Sequence, residues 1–134
     1  MKRQILAMMR EDIHQQGEVV AAGYPFIQEQ IDAILAGPGR RDVERIYLVG
    51  CGDSLYAGMA ARIAVQEWSG VWVEAVESLE FRYLAGGLSD ATAVVGISVS
   101  GQVQRTLDSL EIARERGALT IGITGTPGSR IHDC

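Results

Sequence analysis

The segment from Ile97 to Thr106 reads Ile-Ser-Val-Ser-Gly-Gln-Val-Gln-Arg-Thr, a run of hydroxyl and glycine residues with the chemistry to hold an anion. It follows a β-type run, Ala93-Val94-Val95-Gly96-Ile97, and leads into a helical pattern from Thr106 to Arg116. Ser98, Ser100 and Gly101 therefore sit where a buried strand hands over to a helix N-terminus. Unpaired backbone N–H groups and the positive end of the helix dipole converge at such a point. Serine hydroxyls add donors, so the place suits a phosphate. Serine and glycine are also ordinary N-cap and turn residues, and this loop alone leaves both readings open. A second loop of the same kind, Gly50-Cys51-Gly52-Asp53-Ser54, follows the β run Ile46-Tyr47-Leu48-Val49. It opens a helical segment from Leu55 to about Trp68, with Ala57, Gly58, Ala60 and Ala61 on its early turns. Two strand–loop–helix units with Ser/Gly loops are what an open parallel sheet needs to hold one ligand across its carboxyl edge.

The elements that must position these loops alternate in type. Hydrophobic periodicity predicts strands over about 44–49, 71–76, 92–98 and 118–123, and helices over 54–68, 79–84 and 103–116. The strands are Val/Ile-rich and nearly continuous, as parallel strands buried on both faces should be. Alternation of this kind predicts an α/β fold: a three-layer, doubly wound parallel sheet. Ahead of it, Ile5 to about Val20 has a helical pattern that Gly17 is expected to break. Pro25 then opens a cleaner helix with Ile27, Ile31, Ile34 and Leu35 on one face, ended by Gly37-Pro38-Gly39. Residues 1–40 thus read as an N-terminal helical segment and 41–134 as the α/β domain. After the last strand, Gly125-Thr126-Pro127-Gly128-Ser129 is expected to start another helix with Ser129 as N-cap. The chain stops five residues later, so the domain reads as incomplete at its C-terminus.

Composition narrows the class. The chain has 134 residues, 47% hydrophobic and 22% charged, an ordinary globular balance for one domain. Its net charge of −5 disfavours bulk nucleic-acid binding, and local dipoles and hydroxyls must hold any anionic ligand. Cys51 and Cys134 are the only cysteines and make no disulfide framework. The opening Met1-Lys2-Arg3-Gln4-Ile5-Leu6 lacks the apolar core of a signal peptide, and no apolar run has the length of a membrane span. The expectations are a cytoplasmic address, no membrane or nucleic-acid partner, and no cofactor.

With its loops placed, the sequence resembles the sugar isomerase (SIS) domain family, the phosphosugar-binding fold found in the isomerase half of glucosamine-6-phosphate synthase. The resemblance runs from about Glu11 to Arg130 and rests on four ordered blocks. Glu11-Asp12-Ile13-His14-Gln15-Gln16-Gly17-Glu18-Val19-Val20 is similar to the family's leading helix, which usually has proline where Gly17 stands. Gly50-Cys51-Gly52-Asp53-Ser54 resembles its first loop, where threonine is frequent at position 53. Ser78-Leu79-Glu80-Phe81-Arg82-Tyr83 is similar to its Ser-Glu-Phe-Arg-Tyr segment. The Ile97–Thr106 block resembles its Ser-Gln-Ser-Gly-Glu-Thr loop. The resemblance implies a flavodoxin-like strand order, a sugar phosphate ligand and pairing into a homodimer or larger homo-oligomer. Residue by residue, it implies that Ser54, Ser98 and Ser100 donate to the phosphate with help from the backbone of Val99, beside Gly101, while Cys51, Gly52 and Asp53 line the sugar side. Three family residues differ: its Gln is Val99, its Glu is Gln102 and its phosphate-binding Thr is Val103. Asp53 places a carboxylate near an anion, unfavourable unless it faces a sugar hydroxyl. The family's catalytic His and Glu belong to a second SIS domain or later segment, so the resemblance implies the front part of a sugar-phosphate isomerase or amino-sugar phosphate deaminase-like protein, or a binding-only sensor module. Glu80 is read as structural, a carboxylate that caps or pairs, and Phe81 and Tyr83 as core or interface residues.

Other chemistries fit less well. A dinucleotide site would use Gly50 and Gly52, but Leu55 stands where the third glycine belongs, and Glu77 is the lone ribose candidate. Gly96-Ile97-Ser98-Val99-Ser100 nearly mimics a nucleophile elbow, yet Ser100 replaces its last glycine and only His132 follows. His14, His132, Cys51 and Cys134 have no metal-ligand spacing. The roughly 40 residues before the first strand are too few and too acidic for a DNA-binding helix-turn-helix.

Overall fold

A computed structural model of the chain describes residues 2–36 and 42–134, which fall into two units, residues 1–40 and 41–134. The first unit is a single helix, α1 (Lys2–Ala36), and it runs through both Gly17 and Pro25. The expected break at Gly17 and restart at Pro25 do not occur. A glycine inside a helix costs about 1 kcal/mol relative to alanine, whereas stopping and restarting incurs a second unfavourable nucleation. Pro25 removes one bond, to the carbonyl four residues back, among good helix formers such as Ala21, Ala22, Gln28 and Glu29. The expected terminator at Gly37-Pro38-Gly39 lies outside the described residues.

The second unit alternates strand and helix: β1 (Arg45–Gly50), α2 (Asp53–Ser69), β2 (Trp72–Glu77), α3 (Ser78–Leu84), β3 (Thr92–Ile97), α4 (Gln104–Glu115) and β4 (Leu119–Ile123). The four predicted strands and the helices predicted over 54–68, 79–84 and 103–116 are present to within two residues of their expected ends. The four strands form one parallel sheet in the order β2-β1-β3-β4. Register lines up Leu48 with Ala75 and Val95, and Val49 with Val76 and Gly96. Because side chains alternate along a strand, these two rows face opposite ways. Gly58 of α2 lies against Leu48 and Ala75 on one face. On the other, Tyr47, Val49, Val76 and Val94 pack with Phe81 of α3 and with Leu107, Leu110 and Ala113 of α4. Helices thus cover both faces, completing three layers. Two edge-to-face ring contacts, Tyr47 with Trp72 and with Phe81, each at 5.6 Å, extend this core toward β2.

The end of the chain departs from expectation. The residues after Ser129 form a short 3-10 turn, Arg130–Asp133, in place of an α-helix, and the Ser129 side chain makes no cap bond. Ile131 is only 4% exposed and joins the main core, so this turn has the packing partner its sequence did not announce.

Gly96 decides how close α4 can come to the sheet. A Cβ there would lie 2.7 Å from Leu110 Cδ1 and 2.9 Å from its Cγ, and Leu110 is itself fully buried. Overpacking a core by a methyl group costs about 1–3 kcal/mol. Gly96→Ala is therefore expected to lower the urea unfolding free energy by about that amount, partly recovered in Gly96→Ala/Leu110→Val; a single variant as stable as its parent would refute this packing.

Candidate functional site

All four strands end at the same edge of the sheet, and β1 and β3 are neighbours, with Gly50 opposite Ile97. The loops that follow them, 51–54 and 98–101, therefore leave from adjacent positions. The chain goes from β1 outward to β2, then returns to β3 on the other side, so the crossovers α2 and α4 lie on opposite faces. This is the topological switch point of the sheet, and in doubly wound sheets the ligand crevice belongs there. Cys51, Gly52, Asp53 and Ser54 stand on its β1 side, and Ser98, Val99, Ser100, Gly101 and Val103 on its β3 side.

Each side ends in an uncapped helix. The N-cap of α2 is Gly52 at φ 55°, without a side-chain cap bond. Asp53 occupies the first turn, exposed, where the helix dipole favours its charge. Cys51 and Ser54 are half-buried. The N-cap of α4 is Val103, an apolar side chain that can accept nothing, so the first-turn N–H groups of α4 lack the usual hydroxyl or carboxylate partner. Between β3 and α4, Ser98 to Gly101 form a tight turn closed by Gly101 N–H donating to the Ser98 carbonyl at 3.0 Å. Ser100 Oγ is exposed and accepts the Gln102 N–H at 3.3 Å, which leaves its own proton to donate. Val99 is 74% exposed. Ser98 is the anomaly. It is 1% exposed, and its Oγ is the one buried side-chain polar atom among the described residues that has no hydrogen-bond partner. Such atoms are rare in native proteins and call for an explanation.

A buried polar chain braces the site from below. Cys51 Sγ lies 3.9 Å from Thr106 Oγ1, which is 3.0 Å from Ser78 Oγ. Ser109 Oγ donates in turn to the Ser78 carbonyl at 3.0 Å. These contacts tie the first loop to α3 and α4. The loop after β4, residues 124–129, also reaches the site: Thr124, Gly125 and Thr126 all donate to the Val99 carbonyl. Sequence reasoning treated this loop as a helix start and missed it. The available signal was that a fourth parallel strand must deliver its hydroxyl-rich loop to the same edge.

Several expectations need correction. The carboxylate that caps α3 is Glu77, through Leu79 N–H at 2.6 Å, and not Glu80, which stays exposed beside Met59, Glu74 and Tyr83. Of the two aromatics expected in the core or at an interface, Phe81 is core, and Tyr83, 82% exposed, is not in the core. His132 is not on a loose end: its Nδ1 lies 3.0 Å from the Ser129 carbonyl, and its turn is bonded to the site loop through Ile131 N–H and the Gly101 carbonyl. No histidine is hydrogen-bonded to Ser98 or Ser100 among the described residues. Both cysteines are free thiols, and burial, reinforced by Glu111, pushes the Cys134 thiol up from its ordinary value. The described residues contain no His/Cys/Asp/Glu cluster fit for a metal and no helix long and apolar enough to cross a membrane.

The family model of the SIS domain matches residues 41–133. Over 102 residues the chain is 38% identical to the isomerizing glutamine–fructose-6-phosphate aminotransferase of Streptomyces coelicolor, covering 75% of this chain and 17% of that protein. The enzyme of the same name from Gloeobacter violaceus is 33% identical over 97% of this chain and 22% of its own length. The chain thus spans less than a quarter of these relatives. Among solved structures, the C-terminal domain of glucosamine-fructose-6-phosphate aminotransferase from Francisella tularensis superposes with a TM-score of 0.63 at 28% identity, over 69% of this chain and 26% of that one. Glucosamine-6-phosphate deaminase from Thermotoga maritima shares the fold, with a TM-score of 0.73 at 18% identity over 93% of this chain and 37% of that one.

The orphaned Ser98 hydroxyl has a measurable cost. Burying a hydroxyl without a partner is unfavourable by about 1–3 kcal/mol. Ser98→Ala is expected to leave the ligand-free chain as stable as the parent or more so, by up to about 1 kcal/mol, in denaturant unfolding; a clear loss of stability would show that the hydroxyl is satisfied within the fold.

Proposed function

The chain belongs to the SIS domain family, and we propose that it is a phosphosugar-binding domain, the front part of a sugar-phosphate isomerase or amino-sugar phosphate deaminase-like protein. The observation that carries the reading is the buried, unpartnered Ser98 hydroxyl beside the uncapped N-terminus of α4. A phosphate in the crevice would give that hydroxyl an acceptor and meet the first-turn N–H groups along the helix dipole. In this reading Ser98, Ser100 and Ser54 donate to phosphate oxygens with the backbone around Val99, and Cys51, Gly52 and Asp53 face the sugar. Val103 removes the hydroxyl that the family's threonine would add, so phosphate recognition leans more on Ser98, Ser100 and the helix N-terminus. Asp53 repels a phosphate but accepts well from a sugar hydroxyl, which turns its carboxylate toward the sugar while Ser54 beside it reaches the phosphate. The aminotransferases that the chain resembles act on fructose 6-phosphate, and their substrate is the first ligand to test.

Calorimetric titration of the purified chain with fructose 6-phosphate and with fructose tests this. Binding is expected to require the phosphate, and Ser98→Ala or Ser100→Ala to weaken it by roughly 1–3 kcal/mol each, the cost of leaving a charged acceptor short of one donor. Equal affinity for the hexose and its 6-phosphate would end the proposal.

Binding without turnover is expected of these 134 residues alone. Moving a proton between sugar carbons needs a base within about 3 Å of the carbon acid, and the two loops offer only Asp53. Conversion of fructose 6-phosphate to glucose 6-phosphate above background, lost in Glu80→Gln, would assign the base to Glu80 instead.

We also propose a cytoplasmic protein that associates with itself. On α2, Tyr56, Met59 and Ile63 recur at helical spacing and are 64%, 52% and 64% exposed, a stripe that parallel α/β units ordinarily cover. Light scattering is expected to show a homodimer or larger species; a monomer at micromolar concentration would contradict it.

A further inference from the structure

The loop that follows β4 grips the Ser98–Gly101 turn at one atom above all. The Val99 carbonyl accepts from Gly125 N–H at 3.1 Å, Thr124 Oγ1 at 3.2 Å and Thr126 Oγ1 at 3.1 Å. A carbonyl has two lone pairs, so three donors saturate it. On either side, Ser98 N–H donates to the Ile123 carbonyl at 2.9 Å and the Gly101 carbonyl accepts from Ile131 N–H at 3.1 Å. Thr124 Oγ1 in turn accepts the Thr126 N–H at 3.1 Å, which orders the two threonines together. Gly101, at φ 62°, lets Ser129 pack against the turn; a Cβ there would lie 2.6 Å from Ser129 Cβ.

The consequence lies in the peptide that the grip holds. Val99–Ser100 is the central peptide of the Ser98–Gly101 turn, and in tight turns this plane has two orientations related by a half-turn flip. The peptide is trans, so its C=O and N–H point in opposite directions. With the Val99 carbonyl held on the β4 side of β3, the Ser100 N–H points to the β1 side, where the crevice opens. That N–H makes no hydrogen bond among the described residues.

We propose that Thr126 and Thr124 are positioning residues for the anion site: by capturing the Val99 carbonyl they aim the Ser100 N–H into the crevice as a phosphate donor. The inference rests on the phosphosugar reading above. It gives a purpose to two threonine hydroxyls on a half-exposed loop, which water would otherwise satisfy. A flipped peptide would present the carbonyl, an acceptor, to the phosphate and carry Ser100 into a left-handed conformation that disfavours residues with a Cβ. The grip and the chirality of Ser100 act in the same direction.

The test uses the 15N-labelled 134-residue chain, titrated with fructose 6-phosphate and separately with inorganic phosphate. The parent is expected to bind both, with a large shift of the Ser100 amide signal. Thr126→Val, which keeps shape and loses the hydroxyl, is expected to bind about 3- to 10-fold more weakly, the worth of one hydrogen bond, with a reduced Ser100 shift and an unchanged melting midpoint. Thr126→Ser is expected to restore both affinity and shift, and Thr124→Val to weaken binding as Thr126→Val does. Parent-like binding by Thr126→Val, or a Thr126→Ser variant as weak as the valine one, would overturn the positioning role alone. A valine variant that no longer folds would make the threonines structural and overturn it equally. Absence of binding by the parent would overturn the phosphosugar reading and this inference with it.

Discussion

Parallel pairing of β1 with both β2 and β3 is the constraint from which the rest follows. Parallel strands cannot be joined by tight turns, so each connection crosses back over a face of the sheet, and helices are the economical crossover. The crossovers return the chain to the same starting edge, so every strand exit falls on the opposite one. The loops after β1, β3 and β4 meet there for topological reasons, before any side chain is considered. Because the chain steps outward to β2 and then returns past β1 to β3, α2 and α4 end up on opposite faces, and their N-termini flank a single crevice. Sequence-distant residues such as Cys51 and Thr106 come within 3.9 Å as a result.

The same architecture sets what the site tolerates. The face that carries α4 is close-packed, with Gly96 under Leu110, and below the crevice the hydroxyls of Thr106, Ser78 and Ser109 satisfy one another and nearby carbonyls. Ser98, just past the end of β3, has no partner for its hydroxyl. Among the described residues every other buried side-chain polar atom is paired, so the fold has given up local stability at this buried hydroxyl. The apolar N-cap of α4, Val103, has the same character: a poor cap and a good opening for a charged acceptor. Asp53 works in the other direction, since its carboxylate is welcome at the N-terminus of α2 yet hostile to a neighbouring phosphate. The two sides thus differ in charge: the β1 side carries the Asp53 carboxylate beside the Ser54 hydroxyl, and the β3 side carries hydroxyls and no carboxylate.

Much of this was legible in the sequence because it depends on short-range patterns. Val/Ile runs with glycine-rich exits mark β1 and β3, and helical periodicity marks α2 and α4, since side-chain burial on a strand or helix repeats with the element's own period. Serines and glycines after Ile97 and Val49 marked the two loops that meet at the carboxyl edge of the sheet. Patterns misled where competing local costs were nearly balanced. Gly17 and Pro25 are helix breakers taken singly, and α1 passes through both.

Residue order alone therefore determined the class of the fold, the succession of strands and helices, and the two loops that matter. Tertiary structure decided three things that no window of sequence contains. Register put Gly50 opposite Ile97 and so joined the two loops into one crevice. Long-range packing drew the last turn into the core through Ile131, where the sequence showed only an unfinished helix. The return of β4 beside β3 brought Thr124 and Thr126 onto the Val99 carbonyl, 25 and 27 residues away along the chain. The physical reason is common to all three. Periodicity encodes which face of an element is buried, but a hydrogen bond between two loops depends on where entire strands lie beside one another, and that is set by the collective burial of the sheet.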